Sequence, residues 1–232
     1  MRRCTIFVFV FLVSFPLAAQ TPAAAPAKPV EQKLSGEALW KVLLTGNLKY
    51  QGGEIDYDNL KNERTALVRS QKPPVAILAC ADSRVPPELL FNQSLGALFV
   101  VRTAGNVADE LGLASLEYAI KQDWGTRLIV VLGHENCGAV GSALERGDPV
   151  TPPLLALVNR IRASFVAMGW NGDGGDVDLR KAIEANARAS AAWLTANSAV
   201  VRDAVAHEKE DKRVTIIPAY YELGSGAVTK IE

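Results

Sequence analysis

Cys80, His134 and Cys137 are the side chains of this 232-residue sequence best suited to chemistry, and each stands at the end of an apolar run. Val75 to Ala79 reads VAILA and leads into Cys80-Ala-Asp82-Ser-Arg84. Leu128 to Leu132 reads LIVVL and leads into Gly133-His134-Glu-Asn-Cys137-Gly138. Continuous apolar runs imply strands buried on both faces, which belong to a parallel sheet covered by helices. Ligands of such sheets bind beyond the carboxyl ends of the strands, and neighbouring parallel strands would bring both ends to one edge. Two thiolates and one imidazole, with His-x-x-Cys at a strand-to-helix turn, prefer zinc. Three protein ligands leave the fourth tetrahedral position open, the mark of a catalytic rather than a structural site.

Asp82 decides what fills that position. Its carboxylate could ligate the metal directly, or accept a hydrogen bond from a metal-bound water. Arg84 could hold it away from the metal as a bidentate pair. Plainer readings compete. Two cysteines in an oxidising compartment suit a disulfide, and Asp82-Ser-Arg84 could be a helix cap with a surface ion pair. The disulfide leaves Asp82, Arg84 and His134 as coincidences. His207, beside Glu208 and Lys209, reads as a solvated residue that could at most relay protons.

The elements that must position these groups follow from periodicity. Behind a possible N-cap at Ser35, the spacing of Leu39, Val42 and Leu43 predicts one helix, and a second is expected from about Asp58 to Arg69, ended by Pro73 and Pro74. A third apolar run, Leu98 to Val101, gives another buried strand, and Glu110 to Lys121 supplies a crossover helix. Further helices are expected at Asn136 to Glu145, Pro153 to Met168 and Leu179 to Val205, the last broken near Asn197, with a glycine-rich turn at Asn171 to Asp178. Arg213 to Ala219 and Ala227 to Ile231 read as a closing strand-turn-strand. The expected fold is α/β: a mostly parallel central sheet flanked by helices, with an N-terminal helical arm and a C-terminal edge hairpin.

The 25 Lys and Arg balance 25 Asp and Glu, so no basic excess exists to grip a phosphate backbone, and nucleic acid is an unsuitable partner. Met1 to Ala19 carries Arg2, Arg3, a short apolar run and small residues, the pattern of a secretory signal peptide. The run is about half the ~20 residues needed to span a bilayer. The expectation is an exported, unanchored protein, in the periplasm if the source is bacterial. Residues 20–33, rich in proline and alanine, read as a tether, and residues 34–232 as a single catalytic domain.

Cys80-Ala-Asp82-Ser-Arg84 followed by Gly133-His134-x-x-Cys137-Gly138 resembles the β-class carbonic anhydrases. Phe99-Val-Val-Arg102-Thr-Ala-Gly-Asn106 and Glu117-Tyr118-Ala119 extend the resemblance over nearly everything after Leu34. The resemblance implies zinc-dependent, reversible hydration of carbon dioxide, with one zinc per subunit on Cys80, His134 and Cys137 and an Asp82–Arg84 dyad governing the fourth position. It implies a homodimer or a dimer of dimers, with an apolar substrate pocket across the subunit interface lined by Gln71, Phe99, Ala104, Tyr118 and Gly138. Gln71 would donate a hydrogen bond to bicarbonate. Members with a regulatory bicarbonate pocket carry tryptophan where this chain has Ile77, so that pocket is expected to be absent. Carbon disulfide or carbonyl sulfide, linear and apolar like carbon dioxide, are the alternative substrates.

Overall fold

The two longest apolar runs are the two central strands. In this computed structural model, which describes residues 34–145, 147, 151–170 and 177–232, β1 (Val75–Cys80) and β3 (Leu128–His134) are buried along their whole length. The sheet also contains β2 (Leu98–Thr103), β4 (Thr215–Tyr221) and β5 (Val228–Lys230), in the order β2-β1-β3-β4-β5. The first four strands are mutually parallel, and β5 closes one edge antiparallel to β4. The signal peptide at Met1 to Ala19, the tether at 20–33 and positions 171–176 of the glycine-rich turn lie outside the described residues.

Strand alternation sorts the core into two layers, as a period of two requires. Val75, Ile77, Ala79, Leu128, Val130 and Leu132 face Leu39, Trp40 and Leu43 of α1 (Gly36–Gln51), together with Leu90 of α3 (Pro87–Leu90). Ala76, Leu78, Cys80, Ile129 and Val131 face the opposite layer. That layer holds α4 (Glu110–Lys121), α6 (Pro152–Phe165), α7 (Leu179–Asn197) and α8 (Ala199–Val205). Ser35 caps α1 by accepting from the Ala38 amide at 3.4 Å.

Several boundaries differ from the periodicity. α2 spans only Leu60–Ala66, buries none of its residues and has no side-chain cap, so nothing extends it to Arg69. β2 continues through Arg102 and Thr103 because their backbones pair with Ala79 and Cys80. α5 (Gly138–Leu144) starts after Cys137, and α6 gives way at Val166–Met168 to a 3-10 turn. The long helix breaks at Ser198, whose hydroxyl accepts from the Val201 amide at 3.0 Å and so starts α8. Among the described residues no helix is long and apolar enough to cross a membrane.

Candidate metal centre

β1 and β3 are adjacent and parallel, with Ala79 opposite Leu132, so both apolar runs deliver their last residues to one edge. Cys80 ends β1, His134 ends β3, and Cys137 stands three residues on, immediately before α5. The two sulfurs and the imidazole nitrogen lie within 4.8 Å of one another. All three residues are buried, and both cysteines are free rather than disulfide-bonded.

The chemistry of this set fits a cation. His134 Nδ1 lies 2.9 Å from the Glu135 carbonyl, and donating there fixes the tautomer that presents the Nε2 lone pair. That Nε2 is buried without a hydrogen-bond partner. The Cys80 thiol is pulled down to about 4, chiefly by a hydrogen bond with Cys137 and against the effect of burial. The Cys137 thiol is pushed up by the same hydrogen bond and by burial. Two buried sulfurs beside an unpartnered imidazole nitrogen form a set that a divalent metal completes, by allowing both sulfurs to ionise.

Asp82 and Arg84 form the rim. Arg84 donates from Nε to Asp82 Oδ1 at 2.9 Å, from Nη2 to Oδ2 at 2.7 Å, and from its backbone amide to Oδ1 at 2.9 Å. This grip, with burial opposing it, holds the Asp82 carboxyl well below the usual carboxylate range. Asp82 Oδ2 lies 3.9 Å from His134 Nε2, and Asp82 is not among the three residues whose ligand atoms gather within 4.8 Å of one another. Arg84 Nη2 also reaches the Asn136 carbonyl at 3.4 Å, joining the loop after β1 to the loop after β3.

Sequence reasoning gave three nearby residues no role. Arg102 donates to the carbonyls of Cys80 at 3.0 Å and Asp82 at 2.5 Å, fixing the backbone that carries the Cys80 sulfur. Gly105 donates its amide to Cys80 Sγ at 3.2 Å, and Asn186 of α7 donates to the Gly105 carbonyl at 2.7 Å. Arg102 and Gly105 both fall within the Phe99 to Asn106 stretch that carries the family resemblance, which was their visible signal. Asn186 had none, because it meets the site only through tertiary packing.

The residues expected to line a substrate pocket fall into two groups. Ala104 is exposed directly after Thr103, the partner of Cys80, and Gly138 is exposed next to Cys137 with open space around it. Phe99 pairs with Ala76, four residues before Cys80, or about 13 Å along the strand. There it clusters with Trp124 and with half-exposed Tyr118, at ring separations of 5.6 and 6.4 Å. Gln71 is exposed near the amino end of β1, on an open groove with Arg64, Leu67 and Leu95. One chain therefore carries the two groups apart. His207 lies beyond the amino end of β4, its carbonyl accepting from Arg213, whereas the metal set is at the carboxyl edge. A proton relay by His207 to its own chain's site is thus corrected: a strand's length separates them.

This architecture is shared with proteins of known kind. A sequence model of the carbonic anhydrase family matches residues 75–228. Carbonic anhydrase 2 of Mycobacterium tuberculosis is 36% identical over 193 residues, covering 82% of this chain and 89% of that protein. The carbonic anhydrase of Mycolicibacterium smegmatis is 36% identical over 195 residues, covering 82% and 91%. Among solved structures, the Coccomyxa β-carbonic anhydrase in complex with acetazolamide superposes with a TM-score of 0.64 at 27% identity, covering 82% of this chain and 84% of that one. A tetrameric β-carbonic anhydrase from Sordaria macrospora shares the fold, with a TM-score of 0.63 at 20% identity over 83% of this chain and 96% of that one. The chain belongs to the carbonic anhydrase family, and within it to the β class. It is accordingly a carbonate dehydratase, a lyase that interconverts carbon dioxide and bicarbonate.

Proposed function

We propose that this chain hydrates carbon dioxide by a zinc-dependent route, with one zinc per subunit held by Cys80, His134 and Cys137. The observation that carries the reading is the buried, partnerless Nε2 of His134 beside two free, buried thiols, all within 4.8 Å of one another. Zinc bound there supplies Lewis acidity that ionises water near neutral pH, at about 7 with neutral imidazole ligands and somewhat higher with two thiolates.

The remaining work falls to the chain itself. Asp82, kept ionised by Arg84, accepts a hydrogen bond at Oδ2 from the attacking oxygen and turns a lone pair of that oxygen toward the carbon of the substrate. Arg84 occupies the carboxylate and so keeps it from the fourth ligand position. Beside the sulfurs, Ala104 and Gly138 add a small, uncharged stretch of surface next to the charged rim, which suits a substrate without a net dipole.

Gln71, Phe99 and Tyr118 would complete the pocket from a second subunit, in a homodimer or a dimer of dimers. The tetrameric Sordaria relative of the same fold and the remoteness of these residues from their own chain's sulfurs support that assembly. Export to the periplasm rests on the leader-like Met1 to Ala19.

The decisive experiment is stopped-flow hydration of carbon dioxide by protein lacking the first 19 residues, before and after zinc is stripped and restored. It is best run at about pH 8.5, above the ~7 expected for an all-imidazole site. Turnover that falls with stripping and returns with zinc is the expected result. Zinc-loaded protein without turnover would overturn the reading and leave carbon disulfide or carbonyl sulfide as substrates to try.

A further inference from the structure

The turn that reaches the Cys80 sulfur is conformationally expensive. Gly105 has φ of 66° and Asn106 has φ of 45°, two successive residues in the left-handed region, and the second is not glycine. Such a turn persists only where its surroundings over-determine it. Two surroundings do so here. A Cβ on Gly105 would come within 3.0 Å of Ile161 Cδ1 and 3.3 Å of Ala139 Cβ, so α5 and α6 close on it from one side. From α7, Asn186, only 2% exposed, donates Nδ2 to the Gly105 carbonyl at 2.7 Å.

The position of Asn186 is itself set by the site. A Cβ on Gly133, the residue before His134, would lie 2.9 Å from Ile183 Cγ2 and 3.6 Å from Ala187 Cβ. Only glycine lets α7 approach the end of β3 this closely. Ile183, Asn186 and Ala187 share one helix face at i, i+3 and i+4 spacing, so the contact that seats Ile183 and Ala187 on Gly133 also aims Asn186 at Gly105. One helix thus touches the backbone beside His134 and the turn beside Cys80.

We propose that Asn186 is a positioning residue: by holding the Gly105 carbonyl it delivers the Gly105 amide to the Cys80 sulfur, and so sets how much charge that sulfur gives to a bound metal. The inference rests on the reading of Cys80 as a metal ligand. An N–H donated to a thiolate withdraws charge from it, leaving the metal a stronger acid and the ligand fixed in direction. With Asn186 removed, the turn relaxes, the amide turns from the sulfur, and Cys80 becomes a more electron-rich, less well-directed ligand.

The test compares wild type with Asn186→Leu, which keeps similar volume and removes the donor, both lacking the first 19 residues. Zinc affinity is measured by competition with a chelator, and the thiolate-to-cobalt charge-transfer band is recorded after cobalt substitution. In a variant that folds and assembles as wild type does, affinity should fall about 10–100-fold, and the band should move to lower energy as the sulfur becomes easier to oxidise. An unchanged band and affinity in such a variant overturns the inference while leaving the metal reading intact. A wild type that binds neither metal overturns both. If Asn186→Leu fails to fold, Asn186→Ala replaces it. In wild type loaded with cadmium-113, the Gly105 amide proton should show scalar coupling to the metal through the sulfur, and its absence overturns the inference.

Discussion

Arg84 takes both carboxylate oxygens of Asp82, at 2.9 and 2.7 Å, and leaves one of them 3.9 Å from the free nitrogen of His134. On the proposed mechanism, a carboxylate so occupied acts on the group at the fourth position rather than filling it. Asp82→Asn should therefore retain stoichiometric zinc while losing turnover by about 10²-fold or more, the scale that a lost orienting contact can carry. Cys80→Ser should lose the metal as well. Metal analysis beside stopped-flow rates separates the two, and wild-type turnover in Asp82→Asn would remove the dyad from the mechanism.

The same pair makes a prediction about acid. A carboxyl held down in the folded state contributes stability that is complete above its unfolded value, about 3.9, and is lost as pH falls from there toward the folded value. The difference in urea midpoint between metal-free wild type and Asp82→Asn should be constant from pH 8 to about 5, then shrink below about 4. A difference already closing at about pH 6 would show that Arg84 does not hold the carboxylate in solution.

Stripping zinc should expose two titratable thiols per chain in protein lacking the first 19 residues, with no reductant added, since Cys80 and Cys137 are both free. Zinc-loaded protein should react slowly with the same thiol reagent. No titratable thiol after stripping would indicate a disulfide and remove the metal set.

Gly133→Ala should be costly despite adding a single methyl. Its Cβ would meet Ile183 at 2.9 Å, and overpacking of this kind costs about 1–3 kcal/mol. Because α7 must shift to relieve the contact, zinc affinity should fall together with the urea midpoint. A loss of about 1–3 kcal/mol with unchanged affinity would show that the helix moves independently of the site.

Asn47 offers a control that touches none of the metal set. Buried in α1, it donates to the carbonyls of Leu90 and Gly226 and accepts from the Val228 amide, each at 2.9 Å, tying the helical arm to the closing hairpin. Asn47→Ala should cost about 3 kcal/mol, since buried groups lose partners at about 1–3 kcal/mol each. Zinc affinity of the folded variant should not change.

The contrast between Cys80 and Asn186 shows how far the sequence could be read. Cys80, His134 and Cys137 were legible because each adjoins an apolar run that can only be a buried strand, and parallel neighbours must end together. The break in the long helix near Asn197 was legible too, because Ser198 is a capping residue and starts α8. The roles of Asn186, Arg102 and Asn47 were not, since each acts on backbone groups distant in sequence, and an Asn or Arg carries no periodic mark of its partner. Residues 87–90 form a single helical turn too short for any period to register. Phe99 and Tyr118 were legible as aromatic residues of a family pattern, yet their distance from Cys80 emerged only with the register of β2.

The pairing of β1 with β3 also bears on how the chain reaches its native state. The two strands meet through Val75 opposite Leu128 and Ala79 opposite Leu132, and a slip of one residue would turn every side chain of one strand to the opposite layer. Both strands are uniformly apolar, so hydrophobic burial alone discriminates weakly between neighbouring alignments. The thiols and the imidazole do discriminate, because a single alignment gathers all three. A metal that binds them stabilises only correctly paired chains by mass action. Metal supply during maturation would then govern how much protein folds in register, before it governs how fast that protein turns over.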